Sequence, residues 1–167
     1  MKKSHKTINE DTALTAVIKS IDSWNKMEEE PPSRSLGVKS VKSVKGKVHV
    51  ADREDEVNVR KLIVNYDLEG TPLYCDECRI KIHNGSCDEI GDVYFTGNDP
   101  YNKNKSYRSN YEGKAASWFY FNNKRSLINN RCKLAVVYDD KQEKIGCGML
   151  IPDAEKYDCA KNVPTIN

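Results

Sequence analysis

Apolar side chains near the start of the chain follow a helical spacing. They recur at intervals of three and four residues, which places them on one face of an α-helix. The side chains concerned are Leu14, Val17, Ile18, Ile21 and Trp24. The prolines Pro31 and Pro32 end this pattern, because proline cannot continue the helical hydrogen bonding. The pattern predicts an amphipathic helix over residues 12–28, followed by a linker rich in proline, serine and lysine.

After residue 43 the apolar period changes from 3.6 residues to 2, which is typical of β-strands. Short β-rich runs are separated by turn signals, with no helical pattern between them. The runs are Val44 to Val50, Val57 to Tyr66, Cys78 to His83, Ser117 to Phe121, Leu134 to Tyr138 and Lys144 to Ile151. They predict an all-β Greek-key barrel or sandwich. We expect residues 1–43 to form the helix and linker, 44–151 the barrel, and 152–167 a C-terminal tail.

Composition excludes some classes of partner. The chain has 167 residues, with 27 basic and 25 acidic side chains and a net charge of +2. This charge is too small to predict a nucleic-acid surface. No apolar run approaches the roughly 20 residues of a membrane span. A protein partner and the oligomeric state are left open by the composition.

Six cysteines lie in the second half of the chain or close to it: Cys75, Cys78, Cys87, Cys132, Cys147 and Cys159. An even number favours disulfides in an extracellular or secretory compartment, although the basic N-terminus has no apolar segment after it, as a secretory signal would. Reduced cysteines in a core are the alternative. Cys75-Asp-Glu-Cys78 lacks both the second half of a zinc ribbon and the βαβ context of a redox motif.

The stretch from Cys78 to Cys87, CRIKIHNGSC, alternates in character. Ile80 and Ile82 are expected to point into the core, while Lys81 and His83 point to the other face. A lone histidine in such a strand is more often a hydrogen-bonding or surface residue than a metal ligand.

The order of several motifs resembles the copper/zinc superoxide dismutase domain, with most similarity to compact copper-only, repeat-type extracellular members. After CRIKIHNGSC come further segments that carry the resemblance. They are Gly91-Asp-Val-Tyr-Phe95, Asp99-Pro-Tyr101, Tyr111-Glu-Gly-Lys-Ala-Ala-Ser117, Ala135-Val-Val-Tyr-Asp139 and Ile145-Gly-Cys-Gly-Met-Leu150. The resemblance covers about residues 44–151 and implies a flattened eight-stranded Greek-key barrel.

That family holds copper with four histidines, and the resemblance places the four positions on Lys81, His83, Val93 and Tyr138. Only His83 is a histidine, and the whole chain contains three. Residues 96–116, where the family binds zinc, contain none. An ammonium and a valine are poor substitutes for imidazole ligands. We therefore expect no catalytic residue and no metal cofactor.

The resemblance also implies a disulfide between Cys87 and Cys147. The remaining cysteines, Cys75, Cys78, Cys132 and Cys159, allow three pairings that the sequence does not distinguish, with Cys159 placed to tie the C-terminus to the barrel. Lys144 stands near a position where the family has an arginine that attracts superoxide, and is interpreted here as a solubilising residue.

These observations favour a superoxide dismutase-like domain that has lost its metal sites and acts as a non-catalytic binding or structural module. One alternative is a divergent copper-only dismutase that uses His83 and converts superoxide to oxygen and hydrogen peroxide. The other is an interaction protein that docks through the helix over residues 12–28.

Overall fold

The computed structural model describes residues 13–24, 43–54, 60–101, 106–152 and 159–160. Within these ranges the protein is almost entirely β-structure. The elements in chain order are β1 (Ala13–Ser20), α1 (Ile21–Trp24), β2 (Lys45–Glu54), β3 (Arg60–Glu69), β4 (Cys78–Ser86), β5 (Glu89–Val93), β6 (Ser106–Tyr107), β7 (Ala115–Phe121), a 3₁₀ turn (Ile128–Asn130), β8 (Leu134–Tyr138), β9 (Lys144–Met149) and β10 (Ile151–Pro152).

The strands form one antiparallel sheet that curls into a half-barrel. Its order is β5-β4-β8-β9-β1-β2-β3-β7, with β6 paired to β4 and β10 paired to β1. β3 and β4 follow each other in the chain but are not adjacent in the sheet, and the same holds for β7 and β8. These crossing connections are the Greek-key feature that the strand pattern predicts. The all-β fold class is thus confirmed.

The predicted N-terminal helix is wrong. Residues 13–20 form β1, which lies in the middle of the sheet between β9 and β2. Of the part of the predicted helix that the structure describes, residues 13–24, only the single turn α1 over Ile21–Trp24 is helical. Leu14 and Ile18 are 0% and 1% exposed and belong to the barrel core. The alternative of docking through a free amphipathic helix therefore loses its basis.

The error has a local cause. Leu14 and Ile18 are four residues apart, a separation that places two side chains on the same face of a helix and also of a strand. Ala16 and Ser20, which the helical pattern ignores, are buried between and after them, whereas Val17 is 54% exposed. Parts of the predicted linker and tail, residues 25–42, 153–158 and 161–167, lie outside the described residues. The same is true of residue 12 of the predicted helix and of residues 55–59, where the second predicted strand begins.

Close approach of β9 to β1 depends on glycine. A Cβ atom at Gly148 would overlap the carbonyl oxygen of Val17, and one at Gly146 would lie 2.8 Å from Cγ2 of Ile18. The run Ile145-Gly-Cys-Gly-Met-Leu150 therefore has small residues where the backbone of β1 passes.

A second apolar cluster covers the outer face of β8 and β9. It contains Cys87, Leu134, Val136, Tyr138 and Cys147, with Ile21, Ile90 and Met149 packed against it. The alternation of β8 sends Ala135 and Val137 into the barrel core instead. Both faces of this part of the sheet are consequently buried. None of the described helices is long and apolar enough to cross a membrane.

Candidate functional site

The site lies at the edge of the second cluster, where β4 runs beside β8. Ile80 and Ile82 are buried in the barrel core, as the alternation of β4 predicts. His83 points to the opposite face, yet it is only 3% exposed. The outer cluster covers it, so this face of β4 is not open to solvent at His83.

Both ring nitrogens of His83 are engaged by the protein. Nδ1 lies 2.8 Å from the carbonyl oxygen of Gly91. Since a carbonyl only accepts, Nδ1 carries the proton, and a neutral imidazole then leaves Nε2 as an acceptor. The Tyr138 hydroxyl lies 2.6 Å from Nε2 and donates to it. This assignment follows from the partners of the ring and makes His83 a link between β4, β5 and β8.

Tyr138 is held in place from two sides. Its ring stacks beside the His83 ring, with centroids 5.8 Å apart and planes inclined by 26°. Its backbone carbonyl accepts a 2.7 Å hydrogen bond from the buried hydroxyl of Tyr107. The position of the phenol is therefore determined by packing and by hydrogen bonds at both ends.

Two lysines border the same phenol ring. Nζ of Lys81 lies 4.8 Å from the ring centroid and Nζ of Lys144 lies 5.9 Å from it. Lys144 is directly opposite Tyr138 in the β8–β9 register, and Lys81 is opposite Val136 in the β4–β8 register. Ammonium groups at these distances interact with the electron-rich face of an aromatic ring.

Burial and charge keep the histidine neutral. Burial is the largest influence and lowers the pKa of His83 below its ordinary value of 6.5. The hydrogen bond to Gly91 opposes this shift, the charges of Lys144 and Lys81 add to it, and Asp92 opposes it again. Burial also raises the pKa of Tyr138 to about 12. At neutral pH the pair is thus an uncharged imidazole and an uncharged phenol.

Three of the four positions implied by the resemblance lie together, since Lys81 and Tyr138 adjoin His83 as described above. Val93 is the backbone partner of His83 across β4 and β5, but its side chain packs against the barrel core. His49 is on β2, where its Nδ1 is 2.7 Å from Oγ1 of Thr15. His5 lies outside the described residues.

The donor set does not fit copper. Histidine ligands use one nitrogen for the metal and donate the other N–H to a protein group, but here Tyr138 engages the nitrogen that a metal would need. Lys81 presents an ammonium, and Val93 has no lone pair. Within the described ranges, no group of three or more His, Cys, Asp or Glu side chains is placed to hold a metal ion.

The six cysteines are joined in three disulfides. Cys87 is bonded to Cys147, Cys75 to Cys78, and Cys132 to Cys159. The first connects the β4–β5 turn to β9 and is part of the outer cluster. The last attaches Cys159 to the segment before β8.

Two participants were not assigned to the site from sequence. The Gly91 carbonyl leaves no sequence signal, because every residue has such a group. Lys144 was interpreted as a solubilising residue, but the register of the β8–β9 hairpin places it beside Tyr138. Pairing Leu134–Tyr138 with Lys144–Met149 as a hairpin would have suggested this proximity.

Comparison with known proteins supports the architecture. No family model and no curated protein matches the chain. A mutant of Candida albicans superoxide dismutase 5 matches with a TM-score of 0.54 and 11% identity, covering 89% of this chain and 94% of the other. A second mutant gives a TM-score of 0.53 and 14% identity, covering 89% and 97%.

The Cu(II) form of the same Candida albicans enzyme matches with a TM-score of 0.51 and 13% identity, covering 89% of this chain and 97% of the other. At such identities the likeness extends to the fold alone. The chain therefore has the β-barrel fold of superoxide dismutase 5, with its own set of side chains at His83.

Proposed function

We propose that this chain is a superoxide dismutase-like domain that works without copper or zinc, as a non-catalytic binding or structural module. The observation that carries the proposal is the double engagement of His83, whose Nδ1 donates to Gly91 and whose Nε2 accepts from Tyr138. A histidine used in this way stabilises the barrel and is not available as a ligand.

The charges beside His83 support the same proposal. A copper cation would be brought near the ammonium groups of Lys81 and Lys144, and like charges in a partly buried place repel strongly. The alternative of a divergent copper-only dismutase requires Nε2 to leave Tyr138. It also requires further ligands that the described residues do not offer around His83.

The proposal extends to an extracellular or secretory location. Three disulfides account for all six cysteines, and structural disulfides persist in oxidising compartments. Intact mass before and after reduction measures the number of disulfides directly. A gain equal to six hydrogens on reduction agrees with the three bonds, whereas an unchanged mass contradicts them.

Copper loading tests the loss of the metal site. The purified protein is incubated with Cu(II), desalted, and examined by metal analysis, electron paramagnetic resonance and a superoxide dismutation assay. We expect substoichiometric copper and no dismutation above that of free copper. His83→Ala and His49→Ala serve as a matched pair, because His49 lies on β2, away from the outer cluster. Dismutation that is abolished by His83→Ala and retained by His49→Ala would refute the proposal.

A further inference from the structure

Asn84, near the end of β4, begins the sequence Asn84-Gly-Ser86. Asparagine followed by any residue except proline, and then by serine or threonine, is the acceptor motif of N-glycosylation. Motifs this short also arise by chance, so the surroundings of the side chain decide whether a sugar fits there. The other such motif in the chain begins at Asn104, which lies outside the described residues.

The two polar atoms of the Asn84 amide have different surroundings. Nζ of Lys133 lies 2.8 Å from Oδ1, and because an ammonium group only donates, the atom that faces it is the oxygen. The same Nζ lies 4.5 Å from the centroid of the Tyr94 ring, which helps to hold the lysine in place. Nδ2 of Asn84 donates no hydrogen bond to any of the described residues. N-glycosylation modifies Nδ2 and leaves Oδ1 unchanged, so it is compatible with the contact to Lys133.

The neighbour of Asn84 on β5 leaves space beside it. This neighbour is Gly91, where a Cβ atom would lie 3.5 Å from Cβ of Asn84 and 3.0 Å from its carbonyl oxygen. Because glycine has no side chain, position 91 adds no group that would cover the amide. β5 is also the last strand at this edge of the sheet. Asn84 and Ser86 are both partly exposed, as a modified asparagine and its motif require.

The residue after the motif provides a second observation. Cys87 forms a disulfide with Cys147. Structural disulfides form in the lumen of the secretory pathway, and the motif at Asn84 is an acceptor in secreted proteins. Disulfide formation and glycosylation of Asn84 therefore belong to the same cellular route.

We propose that Asn84 is an N-glycosylation site and that its Nδ2 carries an oligosaccharide in the secreted protein. The donor is an oligosaccharide linked through its C1 atom to a lipid diphosphate. The bond between C1 and the diphosphate oxygen breaks, a bond between C1 and Nδ2 forms, Nδ2 loses one proton, and the lipid diphosphate leaves. This inference rests on the proposed secretory location, but it does not depend on the proposed loss of the metal sites.

The modification has a consequence for the proposed binding module. An attached oligosaccharide is bulky and hydrated. At Asn84 it would extend from the β4–β5 end of the sheet and keep a protein partner from docking there. A partner of the module would then bind another part of the barrel surface.

The test uses the full chain, preceded by a cleavable secretion leader, in a eukaryotic host that releases the protein into the medium. The secreted protein is reduced, digested and examined by mass spectrometry, with and without prior treatment with peptide N-glycosidase. We expect most copies of the peptide that contains Asn84 to carry a sugar. The enzyme should remove this sugar and convert the asparagine to aspartate, and isotopically labelled water marks the converted position.

Variants make the test specific to the motif. Ser86→Ala removes the required hydroxyl and should leave Asn84 unmodified, whereas Ser86→Thr should retain the sugar. Ser117→Ala is the matched control, because Ser117 is exposed and belongs to no such motif. Asn84→Asp removes the acceptor nitrogen and keeps an oxygen for Lys133, so it replaces Ser86→Ala if the latter does not fold. Intact mass after deglycosylation establishes that each variant has its three disulfides.

Two results overturn the glycosylation site. One is a secreted protein that has its three disulfides and an unmodified Asn84, and the other is equal occupancy of Asn84 in Ser86→Ala and in wild type. Either result leaves the proposed metal-free function intact, because that proposal is judged by copper loading. Conversely, redox-active copper in the purified protein refutes the proposed function, while the sugar on Asn84 is measured independently of it.

Discussion

Replacing Tyr138 with phenylalanine removes one hydroxyl and keeps the ring. The lost group donates the 2.6 Å hydrogen bond to Nε2 of His83, in a place where His83 is 3% exposed. Water cannot readily replace it, so Nε2 becomes a buried acceptor without a partner. Leaving such a group unsatisfied costs about 1–3 kcal/mol. We expect Tyr138→Phe to lower the free energy of unfolding by this amount.

Urea unfolding followed by tryptophan fluorescence measures the effect. Tyr111→Phe is the matched control, because Tyr111 is 63% exposed and the same substitution there should change stability by less than about 0.5 kcal/mol. Equal stability of the Tyr138→Phe and Tyr111→Phe proteins would refute the assignment of Tyr138 as the donor to His83.

The same variant should change the pH dependence of stability. In the folded wild type the pKa of His83 is below its ordinary value of 6.5, so the unfolded chain binds the proton more readily. The contribution of His83 to the free energy of unfolding is complete above pH 6.5. It is lost as the pH falls from 6.5 towards the lower pKa of the folded state. Tyr138→Phe removes a donor to the neutral imidazole, which raises the folded pKa. Its loss of stability below about pH 6.5 should be shallower, and a steeper loss would contradict the assigned tautomer.

Three further predictions concern the barrel. Ile18→Ala should lower the free energy of unfolding by about 2–5 kcal/mol and Val17→Ala by less than about 1 kcal/mol, because Ile18 is buried and Val17 is exposed. Equal costs in urea unfolding would argue against the strand β1. Gly148→Ala should cost about 1–3 kcal/mol or more, since its Cβ meets the backbone of Val17, and an unchanged melting temperature would disagree. The double variant Cys87→Ala and Cys147→Ala lacks the disulfide that joins residues 60 apart in sequence. Its loss should lower the free energy of unfolding by about 4 kcal/mol, because the disulfide restricts the unfolded chain. A cost near zero would show that the disulfide does not constrain the unfolded chain.

The runs predicted after residue 43 correspond to β2, β3, β4, β7, β8 and β9, because each of these strands shows its periodicity locally, whereas β5 and β6 were not predicted. The alternation of Ile80 and Ile82 with Lys81 is a property of six consecutive residues, and β8 was predicted with the bounds that the structure has. β1 was not predictable in this way. Leu14 and Ile18 satisfy both periods, and the choice between them depends on pairing with β2 and β9, which are remote in sequence.

The candidate site divides in the same manner. The sequence indicated that Lys81, His83, Val93 and Tyr138 belong together only through resemblance, since no local pattern relates β4 to β8. The sequence could not indicate that the hydroxyl of Tyr138 donates a hydrogen bond to Nε2 of His83. That contact joins residues 55 apart and depends on strand register and on the irregularity near the end of each strand.

The sequence by itself determined how many residues of each type are available and which local patterns they form. Three histidines in the whole chain cannot supply a four-histidine site, and six cysteines can form at most three disulfides. Tertiary structure decided which partner engages each nitrogen of His83, which lysines lie beside the Tyr138 ring, and that β1 is a strand. The physical reason is that hydrogen bonds, charges and burial act over a few ångströms, and only the folded sheet brings distant residues within that range.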